Sequence, residues 1–382
     1  MTARERIYAA LDGREVDMIP VAPLFWGAEY GWKLTGLPLW EVLHGPGDMG
    51  LRVSEAIDER HRPDWVFVSH ASSRALAGKT YSHEDQAHVY FTDDETGEEF
   101  VFHKEGHWLL RASEVGRARL DYEGANIEPP RNKQEADDWL KRTHPHLFTT
   151  PRERTTNRKW RDRFPERFLV GTAQSVFAGL AYSMGFEPAL VLLHDDPNLC
   201  AYVMERMMAV VPEQCARLAA DGFDAGLMCD SWASADIISP EMYRDYVAPF
   251  HKMVSDELHK TGLKSIIYNT GNILPFLDTI SRMGYDAILV EERIKGVEID
   301  LAQVRRVVGP DVCIFSNFDS YLLMTGDRER IAEEVRRQIR DAGPRAFAMS
   351  NGSPICDATD PDVLDFWIAL TRGAISGVSA GL

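Results

Sequence analysis

Three apolar runs end on side chains that could move a proton. Asp230 closes AGLMCD (225–230), Tyr268 stands near the end of KSIIYN (264–269), and Glu291 closes AILVE (287–291) with Glu292 beside it. A carboxyl group in a dry site is costly unless it is paired or used. Burial that raises its pKa makes it a general acid or base. A phenol in the same place donates a hydrogen bond or positions a substrate oxygen. Glu292, Tyr268 and Asp230 are therefore the catalytic candidates. Successive side chains of an extended segment alternate between faces. One of Glu291 and Glu292 thus faces a cavity, and local pattern leaves open which. Cys229 reads either as a nucleophile or soft ligand, or as inert packing.

Other candidates stand at further run ends. Phe25, Trp26, Tyr30 and Trp32 suit a flat apolar ligand wall, or equally a layer capping the core. His70, Asn269, Asn317, Asp319 and Ser353 complete the substrate-binding set, with Phe25, Trp26 and Tyr30.

Eight short β-prone runs carry these residues: 18–25, 64–70, 168–173, 225–230, 264–269, 287–291, 312–317 and 346–351. Their near-continuous hydrophobicity fits parallel strands buried on both faces. Helical patterns lie between them. Ser239-Pro240 starts a helix that Gly262 stops and Pro249 should kink. Asp327 caps another, and Asp360-Pro361 opens a third. The alternation predicts an α/β fold, a (β/α)8 TIM barrel forming a single domain over 1–382, with its site at the strand C-termini. A doubly wound open sheet is the alternative. Residues 86–103 read as two β runs around a turn containing Gly97, an antiparallel hairpin inserted after strand two within an insertion of about 75–165.

Composition excludes several classes. The net charge is −17, which disfavours nucleic acid and anionic membranes as partners. No stretch of about 18 apolar residues suggests a membrane span, and the opening helix MTARERIYAALDG lacks the apolar core of a signal peptide. The five cysteines form no C-x-x-C pair, so reduced thiols and a cytoplasmic location are expected. No H-E-x-x-H or phosphate-binding glycine loop is present; GPGDMG (45–50) reads as a turn. The basic segment 151–168 reads as a solvated helix face laced with Glu153, Asp162 and Glu166, with a dock for an acidic partner or ligand as the alternative.

Several blocks resemble the uroporphyrinogen decarboxylase superfamily, which also contains corrinoid-dependent methyltransferases. They are CDSWASADIISPEMYRDYVAPFHK (229–252), GNILPFLDTISRMGYDAI (271–288), VEIDLAQVRRVVG (297–309), SNFDSYLLMTGDRERI (316–331) and SNGSPICDATDPDVLDFWIAL (350–370). The opening RERIYAALDGREVDMIPVAPLFW is similar too. The resemblance implies the same barrel. It also separates the branches. Decarboxylases of the family carry an arginine-rich N-terminal motif that pairs with substrate carboxylates. The matching stretch here, APLFWGAEYGWKLTG (22–36), has only Lys33 as a cation. The methyltransferase branch has a zinc-binding H-x-C motif, and this chain has Tyr268-Asn269-Thr270 there. The later cysteine position falls near Ser353, and the glutamate remains.

Taken as this resemblance implies, the chain is a corrinoid-linked methyltransferase variant without the thiol-activating zinc motif, demethylating an ether-type or similar small donor. No metal is expected; Glu292, Cys229 and Cys356 would be the ligands if one were bound. No cofactor is held tightly, and a partner corrinoid protein supplies cobalamin. A homodimer fits the family. The alternatives are a cofactor-free decarboxylase acting on a small or pyrrolic acid, and a non-catalytic binding protein for a small molecule or corrinoid.

Overall fold

A computed structural model describes residues 1–69, 72–115, 128–148, 156–293 and 296–378. Its centre is a seven-stranded parallel sheet: β1 (Trp65–Val68), β6 (Phe168–Gln174), β7 (Ala225–Asp230), β8 (Lys264–Asn269), β9 (Ala287–Leu289), β10 (Cys313–Phe315) and β11 (Phe347–Ala348), neighbours in that order. A separate four-stranded antiparallel sheet comprises β2 (Lys79–Glu84), β3 (His88–Asp93), β4 (Glu99–His103) and β5 (Leu109–Arg111).

Two expectations change. The run 18–25 is not a regular strand. It makes one parallel bridge, Val21 to Met349. Its backbone nevertheless bonds in both directions: Ala22 N–H donates to Met349 O (2.8 Å), and Asp64 N–H donates to Val21 O (2.8 Å). Pro20 and Pro23 lack the N–H groups that a full ladder needs. The inserted hairpin is also larger than expected. β3 and β4 are the two predicted runs, and β2 and β5 flank them. β2 is mostly exposed, so it lacks the alternation that would reveal it.

Residues alternate across the parallel sheet with the period of two that strands require. Leu227, Ile266, Tyr268, Ala287 and Leu289 fill one apolar cluster with Trp65 and Phe67, and Cys229 packs against it. Met228, Ile267 and Ile288 face the helices instead. This parity decides which strand-end residues meet. The helix expected from Ser239 is capped by that hydroxyl, which accepts from Met242 N–H (3.1 Å). It widens to a π turn at Tyr243–Val247, just before Pro249. Among the described residues no single helix is long and apolar enough to cross a membrane.

The basic segment is largely absorbed by internal pairs. Lys159 bonds Asp48, Arg163 bonds Glu55, Arg167 bonds Asp58 (2.6 Å), and buried Arg161 bonds Asp224. Arg152 and Arg154 lie outside the described residues.

Candidate active site

Tyr268 and Glu291 meet at the C-terminal end of the sheet. Strand parity turns Tyr268 toward the cluster that holds Phe67. Its hydroxyl donates to Gly352 O (2.6 Å) and lies 3.2 Å from Glu291 Oε1. Ser353 Oγ donates to the same Oε1 (3.1 Å), and Gly271 N–H donates to Oε2 (2.9 Å). Glu291 is 3% exposed, and each of these groups is uncharged. Burial outweighs their hydrogen bonds and, with Glu292 nearby, lifts its pKa to about 7. The phenol has one proton, and the shorter contact directs it to Gly352 O. A proton on Glu291 is then what completes the contact with Tyr268. Burial, followed by the charge of Glu291, keeps the Tyr268 phenol itself well above its ordinary value.

Glu292 points elsewhere. Its Oε2 accepts from Ser320 N–H and Ser320 Oγ–H, both at 2.8 Å. Its Oε1 is buried with no hydrogen-bond partner. Burial raises its pKa too. The two neighbours thus have separate surroundings: Glu291 shares Tyr268, and Glu292 shares the start of the helix Ser320–Thr325.

Asp230, at the end of β7, is fully buried on the opposite face of the sheet from Tyr268 of β8. Its Oδ1 accepts from Trp232 N–H (2.8 Å) and Ala233 N–H (3.0 Å). Its Oδ2 meets the Ser175 hydroxyl and His251 Nε2 (3.1 Å). Tyr243 Oη, 3.3 Å from His251 Nδ1, accepts from Asn269 Nδ2 (3.3 Å). Asp230 and Asn269 therefore do not converge with Tyr268 and Glu291; they tie the helices to the sheet.

The other expected residues divide. Ser353 joins Glu291. Asn317 is buried and donates to Glu291 O (3.1 Å) and Ile299 O (2.9 Å), so it holds backbone in place. Asp319 is exposed and caps the helix Ser320–Thr325 through Tyr321 N–H (2.8 Å). Phe25 stacks on Tyr30 at 5.2 Å, and Trp26, 37% exposed, stands 5.3 Å from Phe67. Tyr30 is buried, with its hydroxyl 2.7 Å from His61 Nε2; His61 Nδ1 lies 2.6 Å from Asp365. His70 lies outside the described residues.

The conditional metal set does not assemble. Cys356 Sγ faces Met324 Sδ (3.6 Å). Burial, with Asp230 and Glu291 nearby, pushes the Cys229 thiol up to about 12. Among the described residues no three His, Cys, Asp or Glu side chains are grouped to hold a metal ion. This donor set does not fit zinc.

Sequence reading missed Gly271, Ser320 and Gly352. Gly271 has φ +83°, and a Cβ there would come 2.7 Å from both Asp236 Oδ2 and Ser234 Oγ. A Cβ on Gly352 would come 2.0 Å from Glu292 N. Glycine inside G-N and N-G-S turns was visible, but its long-range partner was not.

Comparison with known proteins agrees with this architecture. The chain is 29% identical over 188 residues to a uroporphyrinogen decarboxylase of Anaeromyxobacter dehalogenans, covering 48% of this chain and 51% of that protein. It is 25% identical over 227 residues to the Myxococcus xanthus enzyme of that name, covering 58% and 62%. The chain thus matches only about half to three-fifths of the length of these relatives. A methyltransferase from Methanosarcina mazei shares the fold, with TM-score 0.65 and 16% identity over 98% of this chain and 99% of that one. A B12-independent methionine synthase from Shewanella sp. W3-18-1 aligns with TM-score 0.50 and 9% identity, covering 96% and 100%. The model of the uroporphyrinogen decarboxylase (URO-D) family matches residues 123–373, more than half of the sequence, and the chain belongs to that family.

Proposed function

We propose that this chain is a methyltransferase that demethylates a small ether-type donor, with Glu291 delivering the proton that the departing oxygen requires. The observation that carries this reading is the Glu291 carboxyl, buried among uncharged donors and 3.2 Å from the Tyr268 hydroxyl. The reading also takes 18–25 as the eighth stave, closing a (β/α)8 barrel between β11 and β1. The aromatic side chains Phe25, Trp26 and Phe67 then wall the donor.

The methyl carbon–oxygen bond breaks, and its electron pair stays on oxygen. Glu291 gives that oxygen a proton, leaving an alcohol or phenol and a carboxylate. Gly271 N–H and the Ser353 hydroxyl hold the charge left behind. A corrinoid carried by a partner protein would accept the methyl group, supplying the two-electron nucleophile. No step here needs a thiolate at Cys229.

A second reading, cofactor-free decarboxylation, is favoured by the names of the curated relatives. It uses the same acid to protonate a carbanion after CO2 leaves. One assay separates the two. The protein is mixed with methoxyarenes and cob(I)alamin, and cobalt absorbance is followed; in parallel, uroporphyrinogen and small pyrrolic acids are scored for CO2. Methyl transfer that falls about 10²- to 10⁴-fold in Glu291→Gln is expected. CO2 release without methyl transfer would replace the reading with the second one.

A further inference from the structure

The aromatic segment that follows the first apolar run is pinned at both ends. Near its start, Ser69 Oγ–H donates to Phe25 O (3.1 Å), and Gly27 N–H donates to Ser69 Oγ (3.0 Å). Near its end, Tyr30 stacks on Phe25, with ring centres 5.2 Å apart and planes 22° apart. Gly31 then lies so close to the helix Met49–His61 that a Cβ on it would come 2.5 Å from Val53 Cγ1. Tyr30 is 3% exposed, so its hydroxyl needs a partner. Among the described residues it has one, His61 Nε2, at 2.7 Å.

The next contact fixes which atom donates. His61 Nδ1 lies 2.6 Å from Asp365 Oδ1, and Asp365 Oδ2 accepts from Arg60 Nε–H (2.9 Å). A carboxylate only accepts, so Nδ1 carries the hydrogen. Burial holds His61 below its ordinary pKa in spite of Asp365, so the ring is neutral near pH 7 and has one N–H. Nε2 is then a bare lone pair, which is what the Tyr30 O–H requires. In the other tautomer, a lone pair on Nδ1 would face the carboxylate, and Tyr30 would keep a buried hydrogen without an acceptor.

We propose that Asp365 and His61 are positioning residues for the aromatic wall. Asp365 selects the Nδ1–H tautomer of His61, His61 Nε2 fixes the Tyr30 hydroxyl, and the Tyr30 ring fixes Phe25. That Phe25 meets a methyl donor rests on the function proposed above; the brace itself does not. Loosening the brace weakens the fit of the donor and leaves proton delivery by Glu291 intact.

Nitrogen NMR spectra of histidine-labelled full chain report the tautomer of each ring, and loss of signals in His61→Gln assigns His61. The Nδ1–H form is expected in the wild type and in Asp365→Asn, which keeps an acceptor. Asp365→Ala should release the ring to the Nε2–H form. An Nε2–H ring in the wild type, or no change in Asp365→Ala, would overturn the proposal. Hydrogen exchange then reads the wall through two bonded amides, Gly27 N–H on Ser69 Oγ and Trp32 N–H on Ala28 O (3.0 Å). Asp365→Ala and Tyr30→Phe should each speed exchange there about tenfold, the scale of one lost buried hydrogen bond, and the double variant no more than either alone. Asp365→Asn should restore the wild-type rate. Additive effects, or equal acceleration in the helices Met49–His61 and Pro361–Val378, would reduce Asp365 to a helix dock and overturn the proposal. If Asp365→Ala does not fold, Tyr30→Phe carries the exchange test, and an unchanged rate overturns it. With a methoxyarene donor, Asp365→Ala should raise KM more than it lowers kcat, and the reverse would count against the brace. A wild-type chain without turnover would instead strike the proposed function, while the tautomer and the exchange rates still decide the brace.

Discussion

At the N-terminal ends of the strands, three buried or half-buried aspartates each pair with at least one arginine or lysine; at the C-terminal ends, two buried glutamates do not. Asp64 bonds Arg6 and Arg372, Asp224 bonds Arg4 and Arg161, and Asp286 bonds Lys264 (2.9 Å) and His259 (2.8 Å). Each also accepts a backbone N–H from a neighbouring segment: Val21, Leu169 and Ser265, all at 2.8 Å. These aspartates stitch adjacent strand starts together. Glu291 and Glu292 have only serine, tyrosine and backbone donors. The same residue chemistry is thus charge-compensated where it holds the sheet and uncompensated where it faces the proposed reaction.

The two ends therefore respond to pH with opposite sign. Burial pushes Asp286 up, but Ser265 N–H, His259 and Lys264 overcome it and hold the group below its ordinary value. Its contribution to stability is present above the ordinary carboxylate range and is lost as pH falls through its lowered pKa. Glu291, raised to about 7, behaves the other way. Its contribution is full below the ordinary range and is lost as pH rises through about 7.

Substitutions sharpen the contrast. The largest stability effect belongs to the N-terminal ends. Asp224→Asn leaves Arg161, 8% exposed at its side chain, without its counter-charge. A loss of about 3–5 kcal/mol is expected in denaturant melts, as for a buried pair broken on one side. The Glu291 midpoint should not move; if it does, the two ends are not independent. A smaller effect is expected at Asp319, an exposed carboxylate at the C-terminal ends. Asp319→Ala removes a helix cap and should lower stability by about 1 kcal/mol with little change in turnover. A hundredfold loss of turnover would instead return Asp319 to the substrate-binding role expected from sequence.

Much of the fold was legible because strand burial is a local signal. Seven of the eight apolar runs became ladder strands, and the eighth failed at two prolines that were in plain view. The site was less legible. Asp230 and Tyr268 both sit near strand ends, yet opposite parity sends one to the helices and the other inward. That parity depends on where each strand begins, which composition does not fix. The separate surroundings of Glu291 and Glu292 come from Gly271, Ser320 and Ser353, each 20 or more residues away. No local pattern carries such contacts.

The central claim is that Glu291 holds a proton near neutral pH. Infrared titration of the wild-type chain against Glu291→Gln tests it directly. The account predicts a protonated-carboxyl band that is lost with a midpoint near pH 7 and is missing from the variant. A Glu291 already ionised at pH 5, with the two spectra identical above it, would contradict the account.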